Sequence, residues 1–196
     1  MQRQKGQSRF SWYTIIISFL FIALFASVII RFTTQARVAN DELIAEHVQK
    51  LQGIFRRINE TCKITGFRHE KDHIDFLNVI SFAGSVVGPM NLLEPKHWEG
   101  PYVDESLTID GKEYQLVSSK SGYYIVPGDG VKLSNGKVIG KTLTILPTSN
   151  IERMMHDPQA LMSNNKSLAA KIEMYHNPFD ALSKSDFIDE EIETNF

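Results

Sequence analysis

Residues 44–58 read IAEHVQKLQGIFRRI, and the spacing of the apolar side chains in that stretch decides the fold. Ile44, Val48, Leu51, Phe55 and Ile58 recur at steps of four, three, four and three. On a helix of about 3.6 residues per turn this lays them along one stripe, whereas a strand would scatter them over both faces. The stretch therefore predicts an amphipathic helix with one face to bury. Asp41, Glu42, Glu46, Gln49, Lys50, Arg56 and Arg57 are expected on its other faces. A coiled-coil seam is the alternative. Only two heptads are visible, so packing against the chain's own domain is the better reading.

Upstream, no charged residue occurs from Phe10 to Ile30, and WYTIIISFLFIALFASVII supplies roughly the 20 apolar residues that a bilayer-spanning helix requires. A cleaved secretory signal competes with this reading, but the apolar run exceeds the about 7–15 residues usual for such signals and no A-x-A site follows it. No Pro or Gly intervenes between Gln7 and Gln52, so nothing forces the membrane helix to stop where the apolar run stops. Arg3, Lys5 and Arg9 precede the span and Arg31 and Arg37 follow it, a mild bias that favours a cytoplasmic amino terminus. The expected organisation is a basic head over 1–9, a transmembrane helix over 10–30 and its amphipathic continuation over 31–65.

Downstream, HIDFLNVISF from His73 mixes short alternation with β-branched and aromatic residues and reads as strand, followed by a GSVVGP loop. Turn signals then come at short spacing: Asp110-Gly111, Lys120-Ser121-Gly122, Gly128-Asp129-Gly130 and Asn135-Gly136. Asp-Gly and Asn-Gly between apolar runs favour hairpins, because both central positions of the preferred turn need positive φ. Residues 66–146 are thus expected to form an antiparallel meander of four or five strands, giving an α+β fold. Beyond Pro147, nine acids stand against four basic residues from Ile151 onward. KSLAAKIEMY suggests a short helix there, and 147–196 reads as an acidic, partly disordered extension.

The chain has 196 residues, a net charge of -2 and one cysteine. That suits one modest domain, gives no warrant for a nucleic-acid partner, and leaves Cys62 as a small packed side chain, since it has no second cysteine to pair with.

Three motifs carry possible chemistry. His69-Glu70-Lys71-Asp72-His73 has the H-E-x-x-H spacing of zinc peptidases, which works only on a rigid, shielded helix. Its charged interior and the strand-like residues after His73 argue instead for a charged loop or helix end, and a third ligand, Glu94 or Glu99, is not singled out by spacing. Ser85 and Lys120 stand in the order of a Ser–Lys signal peptidase dyad, around a Pro-Gly-Asp hairpin. Such a dyad needs a desolvated lysine, and SSKSG reads as an exposed turn. Asp129, Ser134 and Asn135 offer oxygen ligands of the kind Ca²⁺ takes, but with a single carboxylate they read as ordinary turn chemistry. No cofactor is expected.

The order of basic head, apolar span, unbroken amphipathic helix, loop and antiparallel sheet resembles type IV pilin-like proteins, in particular the major pseudopilins of type II secretion systems. HWEGPYVDE, His97–Glu105, is similar to their Trp-x-Gly-Pro-Tyr segment, with Trp98, Gly100, Pro101 and Tyr102 as the matching turn. Residues 6–146 are covered. The resemblance implies a structural subunit or scaffold without catalytic residues, held in the inner membrane with its carboxy-terminal domain outside the cytoplasm. Its partners would be other pilin-like subunits or secretion-machinery proteins. The chain departs from the family at its cleavage site: the candidate glycine, Gly6, is followed by Gln7, and Ser11 stands where the family has a glutamate. A tip or base subunit and an unprocessed membrane relative both fit that departure. A membrane-anchored peptidase is the alternative from a different class.

Overall fold

The computed structural model describes residues 12–176. Gly6, Gln7, Ser11 and the rest of the basic head lie outside the described residues, as does the acidic tail from 177. The elements in chain order are α1 (Trp12–Cys62), β1 (Ile64–Phe67), β2 (Lys71–His73), β3 (Val86–Val87), β4 (Met90–Leu92), a 3-10 turn (Pro95–His97), β5 (Thr108–Ile109), β6 (Lys112–Glu113), β7 (Gln115–Ser119), β8 (Gly122–Val126), α2 (Ile151–Met154), β9 (Met162–Ser163), β10 (Lys166–Ser167) and β11 (Ala170–Ile172). One long amino-terminal helix carrying antiparallel sheets is an α+β architecture.

α1 runs unbroken for 51 residues. Its first half is apolar and exposed, and it is long and apolar enough to cross a membrane. Its second half enters the core, where Ile44, Val48, Leu51, Phe55 and Ile58 are all buried, with Cys62 continuing the stripe. Each such side chain contributes roughly 1.5–3 kcal/mol on burial. Phe55 anchors the row by edge-on contacts to Phe67 and Phe76, with ring centroids 6.2 Å apart in both pairs.

The main sheet has the order β11-β8-β7-β2, antiparallel throughout. It is therefore not a sequential meander. The β7–β8 hairpin turns at Lys120-Ser121, as its sequence suggests, but its neighbours come from far along the chain on either side. Leu116 and Val117 on β7, and Tyr124, Ile125 and Val126 on β8, are buried in succession, so both faces of the hairpin are covered. α1 covers one face. The long segment between β8 and β11 is tied to the sheet where Ser119 Oγ donates to Ser149 O at 3.1 Å and where Lys71 meets Asp129 at 2.8 Å.

Three expectations are corrected. KSLAAKIEMY is no helix: Ala170–Ile172 is the edge strand β11, because Ala170 and Ile172 alternate inward against β8 while Gln52 of α1 donates to the Lys171 carbonyl at 3.0 Å. The folded unit thus continues past 146 to at least β11. HIDFLNVISF is not a strand beyond His73; Ile74, Phe76 and Leu77 turn into the core from a loop, a spacing that breaks strict alternation. At Asn135-Gly136 the flanking runs make only one ladder bridge, Lys132 to Val138. Only Gly136 has positive φ there (83°), whereas at Asp110-Gly111 both residues do (51° and 68°) and a β5–β6 hairpin forms.

Candidate functional site

The geometry concentrates on how the domain grips α1, and it does so at two levels. The far clamp lies at the carboxy-terminal end of the helix. Cys62 O and Lys63 O accept from the amides of Glu94 and Leu93, at 2.9 and 3.0 Å, and Lys63 pairs with Glu94. Arg57 reaches Glu99 at 2.6 Å, and the guanidinium is held above its ordinary pKa by that carboxylate. Between these contacts runs the Trp98–Tyr102 turn. Trp98 Nε1 donates to Val79 O at 3.0 Å, and the indole meets Phe82 and Tyr102 edge-on at 5.3 and 4.8 Å. Tyr102 N donates to Leu77 O at 2.8 Å. Burial raises the Tyr102 pKa. Gly100 is required here: a Cβ would collide with the Trp98 indole and the Val79 carbonyl. Gly100, Pro101 and the two aromatics thus brace the loop Ile74–Ser85 against the end of the helix, with the Gly100–Pro101 peptide bond cis.

The near clamp lies where α1 enters the domain, and sequence reasoning missed it. Asn40 Nδ2 donates to Asp110 Oδ2 at 3.0 Å in the β5–β6 turn. Asp41 accepts from the backbone N–H of Ser134 at 3.1 Å and from its hydroxyl. Glu42 pairs at 2.9 Å with Lys166, where β10 leaves the β9–β10 turn, and that ammonium lowers the Glu42 pKa. Three consecutive helix residues thus hold three turns. Asp41, expected on a solvated face, is only 2% exposed. The signal was available: Asp41 stands three residues before Ile44, in register with the apolar stripe.

A third polar contact crosses the helix–sheet interface between the clamps. His47 Nδ1 lies 3.1 Å from Tyr114 Oη. Burial lowers the His47 pKa and raises that of the fully buried Tyr114 phenol. Deeper in the sheet, Gln115 Oε1 is buried without a partner among the described residues.

The residues read as possible chemistry are dispersed. Lys71–His73 of the H-E-x-x-H stretch is the edge strand β2, so His69 and His73 do not share a helix face; His69 bonds Asp72 at 2.9 Å and His73 faces Glu113 at 3.4 Å. Charges on a sheet edge discourage pairing with another chain, which accounts for the density of charge from Arg68 to His73. Glu94 is engaged with Lys63 and His97, and Glu99 with Arg57. Ser85 and Lys120 are both exposed, one leading into β3 and the other in the β7–β8 turn. Of the oxygen-ligand candidates, Asp129 holds Lys71, Ser134 serves Asp41, and Asn135 donates to the carbonyls of Pro158 and Ala160. No group of three or more His, Cys, Asp or Glu side chains suited to a metal ion occurs among the described residues. Compared with known protein families, with curated proteins and with solved structures, the chain matches none.

Proposed function

We propose that this chain is a membrane-anchored structural subunit or scaffold, built in the manner of a pseudopilin and serving a type II secretion or type IV pilus-like apparatus. The observation that carries the reading is the single helix α1, exposed and apolar from Trp12 to Phe32 and clamped by its own domain from Asn40 to Cys62. The exposed half is stored in the bilayer of the inner membrane, with its amino terminus cytoplasmic. It offers a helical surface on which other pilin-like subunits or secretion-machinery proteins pack. The clamped half makes the domain and the anchor one rigid lever, so that a displacement of the helix along the membrane normal carries the domain with it. Assembly of this kind needs no catalytic group and no cofactor.

The test is site-directed cross-linking in native membranes, using cysteines placed one at a time at exposed apolar positions such as Phe21, Phe25 and Val28. Adducts confined to one face of the helix, with a second copy or another single-span subunit, are expected. Absence of adducts at every position around the helix would contradict an assembly role.

A further inference from the structure

The exposed half of α1 is not the same on every side. At about 100° of turn per residue, Phe21, Phe25, Val28 and Phe32 lie within about 40° of one line along the helix, and Ala36, Ala39 and Leu43 continue that line. The steps of four, three, four, four, three and four repeat every 11 residues, a spacing that keeps two helices in contact with a slight right-handed winding. The line runs on the far side of α1 from the stripe of Ile44, Val48, Leu51 and Phe55, so the domain leaves it open and Leu43 is 41% exposed. A span of about 20 residues from Trp12 ends near Phe32. Leu43 stands roughly 16 Å beyond that point, where lipid does not cover it.

The line is polar at both ends. Below Phe21 it passes through Thr14 and Ser18, exposed within the apolar run and without a side-chain hydrogen bond among the described residues. Ser27 and Thr33, off the line, instead turn their hydroxyls back to their own helix, to Leu24 O at 2.8 Å and Ile29 O at 3.0 Å. A hydroxyl in hydrocarbon gains a partner from a neighbouring helix. Above Leu43 the line passes through Glu46 and Lys50, both exposed and neither in an ion pair among the described residues. Of the other charges of α1 near it, Glu42 is held by Lys166 and Arg57 by Glu99. Arg31 and Arg37 stand about 100° or more away.

We propose that a second copy of the chain packs along this line, parallel and in register, from Thr14 to Lys50. The shared membrane fixes the copies parallel, and each offers hydroxyls, apolar side chains and opposite charges at the heights where the other needs them. Thr14 and Ser18 meet their counterparts inside the bilayer, Leu43 covers Leu43, and Glu46 of each copy meets Lys50 of the other. The inference rests on the membrane-anchor reading and names the partner as a second copy. The contact is narrow, so the pair is reversible and follows the density of the chain in the bilayer.

The experiment is oxidative cross-linking of the full-length chain in phosphatidylcholine vesicles, with cysteines introduced singly on the aqueous part of the helix; Cys62 is buried and silent in the parent. Disulfide-linked dimer should form about fivefold or more faster with Ala36→Cys, Ala39→Cys and Leu43→Cys than with Val38→Cys or Gln49→Cys, exposed positions on other sides. Adding Lys50→Glu to Leu43→Cys should slow it about threefold or more, since two attractions become two repulsions, and mixing with a Glu46→Lys, Leu43→Cys copy should restore it. Equal rates at all five positions would overturn the pair. Dimer formed only between Ala36→Cys in one copy and Leu43→Cys in the other would overturn its register. Adducts on this face that in native membranes join another protein and never a second copy would overturn the copy as occupant. A chain washed from the vesicles by alkaline carbonate would overturn the anchor reading itself, whereas a retained chain without face-specific dimer overturns the pair alone.

Discussion

The two halves of α1 share one backbone and differ in what surrounds it. From Trp12 to Phe32 the apolar side chains point in every direction and none is covered by the protein. From Asn40 to Cys62 they fall on one stripe buried in the core, with Leu43 the exposed exception. A helix apolar all round requires an apolar solvent, while one apolar along a stripe carries its own cover. Between them, Thr33, Gln35, Ala36, Val38 and Ala39 are exposed and Arg37 is half-buried.

The largest test of this contrast is a charge placed in each half. Leu51→Asp leaves an unpaired ion in the core, at a cost of several kcal/mol against a domain stability of about 5–15 kcal/mol. The domain should lose its cooperative unfolding transition in circular dichroism. Leu24→Asp should leave that transition unchanged and instead weaken membrane insertion, by roughly 2.5–3.5 kcal/mol. If Leu24→Asp unfolds the domain equally, the two halves are not separate in the way described.

The clamps should respond less. Gly100→Ala forces a methyl into the Trp98 indole and Val79 carbonyl and should destabilise by about 2–3 kcal/mol in denaturant titration. Asp41→Ala strands the Ser134 N–H in a closed site and should cost about 1–2 kcal/mol. Its effect should be greatest on hydrogen exchange in the turn around Ser134. An unchanged midpoint for Asp41→Ala would mean that the near clamp is held by Asn40 and Glu42 alone.

The smallest effect is pH-dependent. Burial lowers the pKa of His47, so the folded state disfavours the imidazolium and the unfolded chain binds more protons. The stability this contributes is present above the unfolded value near 6.5 and declines as pH falls below it. Thermal midpoints should therefore drop between pH 7 and pH 5.5, and His47→Gln should remove part of that drop. Carboxylates such as Glu42 and Glu94, whose pKa values are lowered by Lys166 and Lys63, act only at lower pH.

The helix was legible because periodicity is a local signal: steps of four and three at Ile44 to Ile58 admit one solution. The β5–β6 and β7–β8 hairpins were legible for the same reason, through turn residues adjacent in the chain. What escaped the sequence was non-local. Nothing in KSLAAKIEMY shows that β8 has a free edge for Ala170–Ile172, and a short apolar run with two alanines and two lysines reads equally as helix. Asp41 was misplaced because its charge was weighed above its register, and only Ser134, far along the chain, makes its burial tolerable. The H-E-x-x-H letters read as a charged loop or helix end, and the edge strand found there is likewise a non-local outcome. Their spacing has chemical meaning on a helix alone, and pairing with β7 places Lys71–His73 on a sheet edge.

The most direct test is a scan of single cysteines along α1 in the full-length chain embedded in lipid bilayers, read by a membrane-impermeant maleimide. Positions 15–30 should be blocked, positions 33–39 should react on nearly all sides, and from 43 onward only the face opposite Ile44, Val48 and Leu51 should react. Buried Cys62 should remain silent. Reaction along 15–30, or protection all round from 33 to 39, would contradict a helix that passes from the bilayer through water into its own domain.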